Sequence, residues 1–181
     1  MRLFTAIPIP RHLINELNTM LSNFPELHRV NHRDMHITLQ FFGEVSTEAV
    51  GGLITVLKKI PVSEMTLELD GTGFFPDKRH PAIFWAGIKD NPDLSRLKLD
   101  MERILETLCF PADNRTFTPH VTLLRIREWM SRKSIDMLND AFLRLPLKRF
   151  RVRGFGLFRS ELLPSGARHT VIKTYESNNP N

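Results

Sequence analysis

Met35-His36-Ile37-Thr38-Leu39 and Pro119-His120-Val121-Thr122-Leu123 decide how this chain is built. Each alternates polar and apolar residues with the period of a half-buried strand, on which side chains two apart share a face. His36 and Thr38 therefore stand together with Ile37 and Leu39 behind them, and His120 and Thr122 stand in front of Val121 and Leu123. Each element closes a strand–helix–strand unit: Leu3-Phe4-Thr5-Ala6-Ile7 and a helix precede the first, Ile83-Phe84-Trp85-Ala86-Gly87 and a helix the second. The two are 84 residues apart, and a two-copy repeat of that length is not a solenoid. The expected architecture is α+β: two pseudo-symmetric lobes, each an antiparallel sheet with helices packed on the outside, around a central cleft.

The remaining pattern fits that frame. Helices are predicted over 11–22, with Leu13, Ile14, Leu17, Met20 and Leu21 on one face, and over 47–60 behind a Ser46 cap. A third starts at Asn91-Pro92, a capping residue followed by proline at the first helical position, and a fourth spans about 134–145. Strand-like runs fall at about 2–8, 35–42, 64–70, 82–88, 116–124, 147–158 and 168–175, before a frayed tail at 176–181. No Ser/Gly linker divides the lobes, so residues 1–181 are expected to form one bilobal domain.

Composition narrows the class. With 41% hydrophobic and 25% charged residues the chain is neither disordered, collagenous nor membrane-embedded. A net charge of +5 leans toward an anionic partner. The lone cysteine, Cys109 between Leu108 and Phe110, forms no internal disulfide and reads as a small buried hydrophobe. The opening Met1–Pro8 is too short and proline-broken for a signal segment, and no apolar run approaches the roughly 20 residues of a membrane helix. A cytoplasmic protein is expected, and a monomer, since no apolar stripe is left over.

Two imidazoles and two hydroxyls facing one cleft meet the needs of phosphodiester cleavage. Imidazole titrates near pH ~6.5, so one copy serves as base and the other as acid. The hydroxyls donate to non-bridging phosphate oxygens, where charge grows in the transition state. Near-symmetry leaves open which imidazole is the base, and the pair titrates as a coupled system. The same cleft would also serve a binding module that holds an RNA end without turnover, or an enzyme acting on small cyclic nucleotides.

The motifs resemble the RNA 2′,3′-cyclic phosphodiesterase (2′-5′ RNA ligase) family of two-histidine phosphoesterases. The likeness runs through Arg2–Ile7, Met35–Val45, Gly71–Pro76, Pro81–Gly87 and Phe117–Arg125, in order and over nearly the whole chain. It implies a bilobal α+β fold and metal- and ATP-independent hydrolysis of a 2′,3′-cyclic phosphate to a 2′-phosphomonoester, without a cofactor. It also implies reversible 2′-5′ joining of RNA or tRNA-like ends. On this resemblance His36 is the proton donor, His120 the acceptor, and Thr38 and Thr122 the phosphate-binding hydroxyls.

Arg125 matches the arginine that ends the family's second motif, and a guanidinium suits phosphate. Strict alternation places it opposite His120, so it reaches the cleft only if the strand bulges near Leu124. Gln40 has the parity of His36 and Thr38 and is expected to line the cleft. Phe74-Phe75 with Lys78 and Arg79, and the alternating Lys148–Arg153 run, are either RNA-facing or ordinary core and surface. His28, His32 and His36 have helical ligand spacing, but the strand-like Ile37–Phe42 argues against a zinc site, and no metal is expected.

Overall fold

The computed structural model describes residues 1–24, 35–106, 116–126, 131–143, 148–163 and 166–177. Along them run β1 (Arg2–Pro8), α1 (Arg11–Leu21), β2 (His36–Glu44), α2 (Thr47–Leu57), β3 (Met65–Phe75), β4 (Ile83–Ile88), α3 (Pro92–Glu106), β5 (His120–Arg125), α4 (Arg132–Leu143), β6 (Arg149–Val152), β7 (Gly154–Leu163) and β8 (Gly166–Glu176).

Three helices, α2, α3 and α4, begin where a side chain satisfies a first amide, whereas α1 follows Pro10 without such a cap. Ser46 accepts from the Ala49 amide at 3.3 Å. The Asn91 Oδ1 accepts from the amides of Asp93 and Leu94, both at 3.0 Å, with Pro92 at the first helical position. Ser131 takes the Ser134 amide at 3.1 Å ahead of α4. Among the described residues, no helix is long and apolar enough to cross a membrane.

All strand pairs are antiparallel, in the order β6-β3-β4-β5-β2-β1-β7-β8. Outward from the central β5–β2 contact, the half β5-β4-β3-β6 repeats the half β2-β1-β7-β8. The two expected lobes thus share one continuous sheet. Its reverse face, with Ile7, Ile37, Leu39, Val121 and Leu123, joins Leu13 and Leu17 of α1 and Leu94, Leu97 and Met101 of α3 in one buried cluster. Each such side chain contributes about 1.5–3 kcal/mol on burial.

One feature departs from the sequence expectation and a second was not part of it. The predicted strand 147–158 is two strands, β6 and β7, separated only by Arg153. In a flat sheet six steps of about 4.8 Å would hold them roughly 29 Å apart, whereas two residues of chain reach about 7 Å. The sheet must therefore roll until its β6 edge comes round to β7. The second is Lys98, 6% exposed on α3, which lies on the helix face among apolar neighbours. Its Nζ donates to Gln40 Oε1 at 2.7 Å and pairs with Glu102 at 2.9 Å, tying the second half's helix to the first half's β2.

Candidate active site

The central strands meet at one register pair, Ile37 opposite Val121, both fully buried. Continuing the antiparallel ladder one residue either way sets His36 across from Thr122 and Thr38 across from His120. Four half-exposed side chains thus form a two-by-two array above two buried aliphatics. Opposite residues in such a ladder have Cβ atoms about 4.5–5.5 Å apart, and the diagonal pair, here the two histidines, stands about 7–8 Å apart. A tetrahedral anion seated over the array meets one imidazole on each side and one hydroxyl from each strand.

Both strands then bulge at the same place. In the β1–β2 ladder Ala6 faces Thr38 and Thr5 faces Gln40, leaving Leu39 unmatched. In the β4–β5 ladder Trp85 faces Thr122 and Phe84 faces Leu124, leaving Leu123 unmatched. One extra residue inverts the alternation beyond it. Arg125, opposite Ile83, is thereby brought to the cleft face, exposed and with no carboxylate partner among the described residues. The same inversion removes Gln40 from the cleft, contrary to the expectation from parity. Gln40 is 5% exposed, opposite Thr5 on the helix face, and its Oε1 is held by Lys98. Phe41, 55% exposed, takes the cleft position instead.

Around the array lies an aromatic frame that motif spacing did not reveal. The His36 ring lies 5.0 Å from Phe4, 6.4 Å from Phe158 and 5.3 Å, edge to face, from His169. The His120 ring lies 4.9 Å from Phe75 and 5.8 Å from Trp85. Phe75 thus reaches the cleft, whereas its neighbour Phe74 is core against Phe84. Glycines make room for the rings: a Cβ at Gly73 would fall 2.1 Å from Trp85, and one at Gly156 would fall 2.7 Å from Phe158. A signal for this was present. Gly71-Thr-Gly-Phe-Phe75 and Gly154-Phe-Gly-Leu-Phe158 share a Gly-x-Gly-x-Phe pattern 83 residues apart, nearly the spacing of the histidines.

The two imidazoles are held differently. His120 Nδ1 lies 2.7 Å from the Thr118 carbonyl. A carbonyl only accepts, so Nδ1 carries the proton and Nε2 keeps a free lone pair. Burial holds the His120 pKa below its usual value, and the Thr118 hydrogen bond opposes that only in part. At neutral pH His120 is an unprotonated imidazole of fixed tautomer, the state required of a base.

The basic stretches are largely matched by carboxylates. Lys78 pairs with Asp136 at 2.7 Å, Arg149 with Glu68, and Arg151 and Arg153 share Glu64. Among the described residues no group of three His, Cys, Asp or Glu is placed to hold a metal, while His28, His32 and Cys109 lie outside them.

Fold and site together define a phosphoesterase-type centre with paired histidine–threonine strands. The chain belongs to the 2′-5′ RNA ligase superfamily, whose model matches residues 8–162. It is 25% identical to the RNA 2′,3′-cyclic phosphodiesterase of Methanocaldococcus jannaschii, over 97% of this chain and 100% of that protein. It is 28% identical to the protein of that name from Archaeoglobus fulgidus, with the same coverage. Among solved structures, TT0787 of Thermus thermophilus superposes with a TM-score of 0.80 at 26% identity, covering 99% of this chain and 100% of that one. Escherichia coli LigT complexed with 3′-AMP superposes with a TM-score of 0.79 at 26% identity, covering 98% of each chain.

Proposed function

We propose that this protein is an RNA 2′,3′-cyclic phosphodiesterase that also joins 2′-5′ ends reversibly, and that His36 and His120 divide the proton transfer. The observation that carries it is the β2–β5 register, which supports two imidazoles on one diagonal with threonine hydroxyls on the other. Water enters on the His120 side and gives its proton to Nε2 as its oxygen bonds to phosphorus. Charge gathering on the non-bridging oxygens is met by Thr38, Thr122 and the Arg125 guanidinium. The P–O3′ bond breaks as His36, entering protonated, gives its proton to O3′, and a 2′-phosphomonoester remains. With a 5′-hydroxyl in place of water, the same steps form a 2′-5′ linkage.

The partners of this reading are RNA ends, tRNA-derived ones among them, handled by a cytoplasmic monomer. Positioned acid–base groups contribute about 10²–10⁴-fold each, so His36→Ala and His120→Ala should each remove turnover of a cyclic-phosphate oligonucleotide while thermal unfolding hardly moves. Full activity in either variant overturns the reading. Binding of the oligonucleotide without any opened product identifies a non-catalytic module instead. No step passes through a metal, so a chelator should leave the rate unchanged.

A further inference from the structure

A cavity of about 450 Å³ opens beside His36. His36 and Phe158 line it, whereas His120, Trp85 and Arg125 do not. Its volume lies within the range of small-molecule sites. From Phe158, paired with Val171, the cavity follows successive rungs of the β7–β8 ladder through Gly156–Thr174 to Gly154–Glu176. Four residues of strand span about 13 Å, room for a nucleoside with a carboxylate side chain beyond it.

Charge decides which part of a nucleotide belongs there. Arg151 and Arg153 line the cavity, but they share Glu64 at 3.6 and 3.7 Å, and Glu176 is a second carboxylate at the far end. Both guanidiniums are thus engaged by a carboxylate rather than free to clamp a phosphate, and Glu176 places a negative group where a phosphate would sit at the far end. Apolar walls from Ile7, Val152, Phe155 and Phe158 suit a flat, uncharged ring.

The direction of the reaction points the same way. If His36 protonates the departing O3′, the ribose carrying that oxygen must lie on the His36 side, beside this cavity. We propose, resting on the cyclic phosphodiesterase reading, that the cavity seats the terminal nucleoside of the cyclic-phosphate end and that Glu176 reads its base. A carboxylate accepts two hydrogen bonds from the N1–H and amino group of guanine and one from the amino group of adenine or cytosine. Uracil offers a single N–H between two carbonyls that repel it. Guanosine ends are the preferred substrate, and uridine ends the poorest.

The test measures kcat/KM for the four nucleoside 2′,3′-cyclic phosphates with wild type, Glu176→Gln and Val171→Trp, alongside a cyclic-phosphate oligonucleotide and thermal melts. A bidentate base contact discriminates by about tenfold or more, so wild type should favour guanosine over uridine by that factor. Glu176→Gln should level the order with an unchanged melt, and Val171→Trp, which fills the cavity, should raise KM for all four. A flat order in wild type, the same order in Glu176→Gln, or unaltered KM values in Val171→Trp overturns the proposal. So does a wild type that opens the oligonucleotide but none of the mononucleotides. A wild type inactive on every substrate brings down the parent reading instead.

Discussion

The two halves of the sheet are built to one plan and finished differently. Register makes Ala6 the counterpart of Trp85, Phe4 of Ile83, Gly156 of Gly73 and Phe158 of Phe75, since each pair faces equivalent rungs. Beyond its bulge the first half places Phe41 on the cleft face, where the second places Arg125. The first half surrounds its histidine with Phe4, Phe158 and His169. The second packs its histidine against Phe75 and Trp85 and pins Nδ1 to a backbone carbonyl. A duplicated frame thus fixes where the two imidazoles stand, and the neighbours, not the motif, make their surroundings unlike.

The sharpest way to break that comparison is to exchange what differs. Arg125→Ala is expected to lower kcat/KM on a cyclic-phosphate oligonucleotide by about 100-fold, the scale of one donor to developing charge, with Arg125→Lys restoring part of it. Phe41→Ala, at the equivalent place, should cost less than about tenfold, mostly in KM, as the loss of one stacking contact does. Equal losses would strip the asymmetry of meaning.

Acidity gives the next handle. The lowered His120 pKa keeps this imidazole unprotonated to below pH 6.5, so if it takes the proton proposed above, the acid limb of the kcat/KM profile should fall below that value. The sign for stability follows: the unfolded chain takes this proton near pH 6.5 and the folded chain only at lower pH, so His120 withdraws stability as pH falls through 6.5. Urea unfolding across this range should show a steeper loss in wild type than in His120→Gln.

Smaller effects probe the frame. Gly73→Ala must displace the Trp85 ring and should change the tryptophan emission and reduce turnover. Gly156→Ala meets the Phe158 ring at a longer distance and should perturb less. Lys98→Met should cost about 1–3 kcal/mol in urea unfolding by leaving Gln40 and Glu102 unpaired, with kcat unchanged because Gln40 lies off the cleft.

What could be seen beforehand depended on the range of the cause. Alternation is local, so the faces of His36, Thr38, His120 and Thr122 were legible, as were helix starts written in Ser46 and Asn91-Pro92. Bulges arise from pairing with a distant strand. Parity counted along β2 alone therefore misplaced Gln40 and overlooked Phe41, while Arg125 could only be stated conditionally on a bulge. Phe158 and His169, both more than 100 positions from His36, reach it through the β1–β7 and β7–β8 pairings, which no window of sequence contains. Lys98 was invisible because a charged residue on an amphipathic helix is assigned to solvent until its partner is known. The break at Arg153 interrupts no hydrophobic period.

The single-residue passage at Arg153 has a consequence for assembly. The second half is spelled by an unbroken stretch that ends with β6, whereas the first is assembled from β1 and β2 before that stretch and β7 and β8 after it. A growing polypeptide can complete the His120 side while the His36 side still lacks β7 and β8. The wall behind His36 therefore waits for β7 and β8, and a chain interrupted after β6 would carry His120 in its full surroundings with neither Phe158 nor His169 beside His36.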